Sequence, residues 1–133
     1  MMLRDYLESC CRRRWEWGSH DCTLFAADWV LAVTGTDPAA GWRGRYGSAD
    51  ECRARLLNAG GLEAVVARAM TAARFSETDA PVTGDVGLVR APTALDGMGV
   101  VSAIRQGDLW VVRGIRRLLA APFPTARAWR VAA

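Results

Sequence analysis

The sequence contains no lysine, and all 17 of its basic residues are arginine. That absence reflects a GC-rich coding sequence more than a chemical need, although guanidinium groups suit bidentate contacts with carboxylate or phosphate. The net charge is only +3, and the one basic cluster in sequence is Arg12-Arg13-Arg14. Nucleic-acid binding asks for a broader basic surface interleaved with aromatics, so that class is set aside. The four cysteines, Cys10, Cys11, Cys22 and Cys52, form no C-x-x-C pair, which favours free thiols over a disulfide framework. Cys10, Cys11, His20 and Cys22 are soft enough ligands for zinc, but neighbouring Cys10 and Cys11 point to different faces of a helix. No metal and no cofactor are therefore expected. Long apolar runs are missing too: the longest, Thr23 to Val33, contains Asp28 and is too short to cross a bilayer. The opening M-M-L-R-D-Y-L-E carries acidic residues where a signal peptide needs a basic region and an apolar stretch, so a soluble protein without a cleaved export signal is expected.

What is present is a chain of 133 residues, 51% hydrophobic, enough for one domain with a real core. Residues 2–13 read as an amphipathic helix with Leu3, Tyr6, Leu7 and Cys10 at helical spacing, and Trp15-Glu16-Trp17-Gly18 as the turn out of it. Residues 21–34 form a central apolar helix ended by Gly35, where a left-handed residue suits a helix C-terminus. The Gly- and Pro-rich stretch that follows, T-D-P-A-A-G-W-R-G-R-Y-G-S, is a loop. Ser48-Ala49-Asp50-Glu51 looks like a capping box opening a third helix that stops at Gly60-Gly61, and a fourth helix spans 62–74. From Thr83 the pattern changes to short Val-rich runs. G-D-V-G-L-V-R, G-M-G-V-V-S-A-I-R, D-L-W-V-V-R and a last run over 126–131 read as strands, with Gln106-Gly107 as a hairpin turn. Helices over about 2–75 followed by strands over about 83–133 give a single α+β domain in which an antiparallel sheet packs against the central helix.

The chemistry concentrates in Trp15 to Val33. Cys22 stands where a polar turn, Gly18-Ser19-His20-Asp21, runs into the apolar helix. With Ser19 or Asp21 as cap, free backbone N–H groups and the positive end of the helix dipole would stabilise a thiolate there. The alternative is a small buried hydrophobe at the start of a core helix. His20 is the only histidine. It either braces the turn or serves Cys22 as a base with Asp21 orienting it. Asp28, set among apolar residues, calls for a buried partner such as Arg43 or Arg45. Asp85 reads as a turn residue opening a strand. Trp15, Trp17, Trp42 and Trp129 read as core or rim packing, and with Arg43, Arg45 and Tyr46 the Trp42 loop is a candidate binding face.

The segment D-C-T-L-F-A-A-D-W-V resembles the D-C-S-G-F-V segment of NlpC-type peptidases, and G-D-V-G-L-V resembles their G-D-L-V-F-F strand. W-x-x-G-x-H-D-C-x-x-F-A-A-D-W-V, with T-G-x-D-P-A-A, R-G-R-Y and a C-terminal A-W-R-V, is similar to a group of NlpC-like proteins encoded among tail genes of tailed phages, prophages and gene transfer agents. The resemblance implies a papain-like fold in which a Cys thiolate attacks a peptidoglycan stem-peptide amide and a His on the sheet acts as base and acid. Cys22 matches the nucleophile. The His position falls in D-G-M-G-V-V, which has no His, and the orienting position near Val111 to Arg113 lacks His, Asn or Asp. A thiol without its base loses orders of magnitude in rate. The resemblance thus implies a virion protein of a phage-type tail tip or hub, built on a degenerate peptidase fold and partnered by other tail proteins. The alternative is an active hydrolase of peptidoglycan using Cys22 with His20 or with a residue from a neighbouring subunit.

Overall fold

A computed structural model describes residues 1–93 and 97–131. Asp96, which opens the D-G-M-G-V-V stretch, lies outside the described residues, as do the last two residues of the expected domain. The chain is α+β: helices α1 (Leu3–Cys11), α2 (Phe25–Thr34), α3 (Ala49–Asn58) and α4 (Leu62–Ala72) precede strands β1 (Val86–Thr93), β2 (Gly97–Gln106), β3 (Leu109–Arg113), β4 (Leu118–Ala121) and β5 (Thr125–Trp129). The strands form one antiparallel sheet in the order β4-β3-β2-β1-β5. Among the described residues no helix is long and apolar enough to cross a membrane.

Local chemistry explains the element ends. Gly35 takes the left-handed conformation (φ 77°) and its N–H closes α2 onto the Leu31 carbonyl. Ser48 Oγ accepts from the Glu51 N–H at 3.2 Å, while the Glu51 carboxylate reaches one residue further back than a capping box requires and accepts from the Gly47 N–H at 2.8 Å. The hairpin between β2 and β3 turns at Gly107-Asp108 rather than Gln106-Gly107, because Gln106 still pairs with Leu109 and Gly107 is the residue with positive φ (60°). β4 was not foreseen. Its sequence, L-L-A-A, has helical composition, and pairing with β3 overrides that preference.

Register divides the core into two faces. Val86, Leu88, Ile104, Val111 and Trp129 face α1, α2 and α4, forming one cluster with Tyr6, Phe25, Trp29, Val30 and Met70. Val89, Ala91, Val101, Ala103, Trp110, Val112 and Ala128 face the other way, in a second cluster that Cys22 joins. The indole of Trp110 spans that second face and its Nε1 donates to Thr125 Oγ1 on β5 at 2.8 Å. Glycine at 87 makes this possible, since a β-carbon there would sit 2.7 Å from the indole. The sheet therefore curls, bringing β3 within reach of β5, and the entry to α2 contributes to both clusters, Cys22 to the second and Phe25 to the first.

Candidate functional site

α2 begins four residues after Asp21, and the turn that leads into it is organised by one carboxylate. Asp21 is fully buried. Its Oδ1 accepts from the N–H groups of Thr23 and Leu24, both at 2.9 Å. Its Oδ2 accepts from the Gly18 N–H at 2.9 Å and from the Tyr46 hydroxyl at 2.7 Å. The Asp21 carbonyl takes the first helical bond, from Phe25 N–H at 3.0 Å. Asp21 thus caps the turn that leads into α2, in the manner of an N-cap but one turn ahead of the helix proper, and all four of its side-chain bonds go to that turn and to Tyr46, leaving none to orient His20.

Cys22 follows directly and is 4% exposed. The backbone donors expected to stabilise its thiolate are already taken by Asp21, whose negative charge cancels the dipole end that the sulfur was to use. Burial first, and then the charge of Asp21, push the Cys22 thiol up from an ordinary 9.0 to about 12, against the opposing hydrogen bond from Thr23. The thiol opens on a cleft of about 180 Å³ lined by Thr23, Leu56, Leu62, Gly99 and Val101 among others. Gly99, within the stretch where the resemblance places a base, brings only backbone to this cleft. Cys52 lies nearby, fully buried, its sulfur 3.9 Å from Thr23 Oγ1.

His20 faces elsewhere. It is 1% exposed, and its Nε2 accepts from the Arg113 Nε–H at 3.1 Å, which fixes the proton of the neutral ring on Nδ1. Nδ1 stands 3.8 Å from Asp28 Oδ2, and both atoms lack a hydrogen-bond partner. Arg113 donates a second bond to the Arg13 carbonyl at 3.0 Å. Asp28 pairs with Arg43 rather than Arg45, and lies 3.5 Å from Arg13. Arg43 also clasps Asp37 through two bonds of 2.9 and 3.0 Å. No hydrogen bond joins His20 to Cys22, and the ring nitrogen a base would use is committed to a cation. General-base catalysis needs a free lone pair within reach of the nucleophile, and this arrangement supplies none.

The four residues of the expected binding face separate. Tyr46 is buried on Asp21, Arg43 is held by Asp28 and Asp37, and Trp42 is half-buried under the Arg55 guanidinium at 5.3 Å. Only Arg45 is exposed without a side-chain partner. Trp15 and Trp17 stack edge to face at 5.0 Å, and Trp129 is core. Cys10 and Cys22 fall in different clusters, and among the described residues no group of three or more His, Cys, Asp or Glu could hold a metal ion.

Sequence reasoning misses Arg113 as the partner of His20, and it finds only part of the role of Asp85. Arg113 has a visible signal: on β3 it alternates with Val111 and so falls on the core-facing side, where a charge demands a buried partner. Asp85 is a clamp as well as a turn residue, accepting from the N–H groups of Val82 and Val131 and from Arg130. A family profile described as "Domain of unknown function (DUF6950)" matches residues 1–131. No curated protein and no solved structure matches the chain.

Proposed function

We propose that this chain, which belongs to the DUF6950 family, is a papain-like NlpC-type domain that has lost efficient cysteine hydrolase chemistry and serves as a structural or assembly component of a phage-type tail tip. The tail setting rests on the resemblance of its W-x-x-G-x-H-D-C-x-x-F-A-A-D-W-V segment and of its C-terminal A-W-R-V. The loss of chemistry rests on one observation: the only histidine gives its Nε2 to Arg113, while Cys22 is buried with its proton held tightly. With that thiol at about 12, roughly one sulfur in 10⁵ is ionised at neutral pH. The imidazole is no acid for a leaving amine at Cys22 either, since its Nδ1 stands beside Asp28, 3.8 Å from Oδ2, and no hydrogen bond joins His20 to Cys22.

Alkylation of the native protein with iodoacetamide tests this. At neutral pH the exposed Cys11 is expected to react and Cys22 to stay unmodified, with labelling of Cys22 rising only as pH approaches about 12. Incubation with bacterial sacculi is expected to release no peptides. Rapid labelling of Cys22 at neutral pH, together with peptide release that Cys22→Ala abolishes, would replace this reading with an active peptidoglycan hydrolase. The same shift has a stability consequence with a definite sign. The folded state holds the thiol proton more tightly than the unfolded chain, so this stabilisation is complete below about pH 9.0 and is lost as pH rises towards 12. In Cys22→Ala that part of the alkaline loss disappears.

A further inference from the structure

The fold brings together arginines that the sequence keeps a hundred residues apart. Arg12, Arg13 and Arg14 follow α1, and Arg116 and Arg117 sit in the turn between β3 and β4, which the Gly114 N–H closes onto the Arg117 carbonyl at 2.9 Å. Arg113, the last residue of β3, ties the two loops by donating to the Arg13 carbonyl. All five arginines are exposed, as is Ile115 at 56%. The guanidinium groups of Arg12, Arg14, Arg116 and Arg117 have no hydrogen bond or ion pair among the described residues, and Arg13 has only the 3.5 Å contact to Asp28. Of the arginines elsewhere, Arg43 is neutralised by Asp28 and Asp37, Arg127 by Glu77 and Arg130 by Asp85, while Arg45, Arg74 and Arg90 are exposed and unpartnered but stand apart in sequence.

We infer that this end of the molecule is a docking surface for an acidic segment of a partner protein. Unpaired like charges on two loops that are tied together repel, and an anion covering both relieves the repulsion. The composition narrows the anion. Arginine around an exposed aliphatic side chain is the make-up of a protein interface, where guanidinium groups take carboxylates in forked pairs and the aliphatic residue seats in the partner. Single-stranded nucleic acid calls for exposed rings on which bases stack, whereas Trp15 and Trp17 are half-buried against each other. A bilayer surface calls for an amphipathic helix with a broad apolar face, and this patch offers one isoleucine. The surface works independently of whether Cys22 is catalytic.

The test uses the full chain and a fluorescent peptide of glutamate residues interspersed with leucine. Binding is expected at low ionic strength, weakening as salt is added. Arg116→Gln/Arg117→Gln and Arg12→Gln/Arg14→Gln are each expected to weaken it about tenfold, and Ile115→Ser a few fold, with unchanged melting temperatures. Arg74→Gln/Arg90→Gln removes the same charge from exposed, unpartnered arginines outside these loops and is expected to leave binding intact. The inference fails if the peptide does not bind, if only one of the two loops matters, or if the control pair weakens binding equally. It also fails if a DNA duplex or anionic phospholipid vesicles bind more tightly than the peptide at the same ionic strength.

Discussion

Asp21→Ala is expected to destabilise the domain by about 3–5 kcal/mol and to lower its melting temperature by roughly 10–20 °C, measured by urea and thermal unfolding. The size follows from what one carboxylate holds. Two helix-entry N–H groups, the Gly18 N–H and the Tyr46 hydroxyl all bond to it in a fully buried site, and alanine strands all four donors. Asparagine keeps one acceptor oxygen and loses the other, so Asp21→Asn is expected to cost less, about 2–3 kcal/mol. The asparagine variant also has a chemical readout. Its missing charge is the second cause of the raised Cys22 thiol, so labelling of Cys22 is expected to begin at lower pH than in the parent. Unchanged stability in Asp21→Ala would mean that the cap is dispensable.

The second large effect belongs to Gly18. Its φ of 80° is a left-handed value, its N–H is one of the donors to Asp21, and its carbonyl accepts from the Gly44 N–H at 2.9 Å. A β-carbon there would run into the Tyr46 carbonyl oxygen, a backbone atom with no freedom to move aside. Gly18→Ala is therefore expected to cost at least about 3 kcal/mol, conformational strain and collision together. Gly35→Ala separates the two contributions. Gly35 has nearly the same φ, 77°, but nothing within 4 Å of a β-carbon, so strain alone should appear there, about 1 kcal/mol. Equal losses at the two positions would show that the collision relaxes at no cost.

Much of the architecture was legible because it is written in local patterns. The spacing of Leu3, Tyr6, Leu7 and Cys10, the glycine ending α2, Ser48 before α3 and the short Val-rich runs after Asp85 each fix an element by short-range physics. β4 was missed because nothing local marks L-L-A-A as a strand; only its partner does. The site was half legible. Cys22 at the mouth of the apolar helix was visible, and so was the need of Asp28 for an arginine. That Asp21 spends its charge on the same N–H groups as the sulfur would need is a competition that spacing cannot reveal, since both residues fit the helix start. The engagement of His20 by Arg113 is a contact across 93 residues, set by strand register rather than by neighbouring sequence.

That contact has a consequence for motion. The short loop in which Glu16 and His20 exchange two backbone hydrogen bonds of 2.8 Å stands between two helices and would ordinarily open and close by itself. Here one guanidinium pins its imidazole and the Arg13 carbonyl to the end of a central strand. Opening the loop therefore breaks both of these bonds to the strand's end. The Glu16 and His20 amides are thus expected to exchange with deuterium as slowly as those of β3, and to quicken together with them in Arg113→Met.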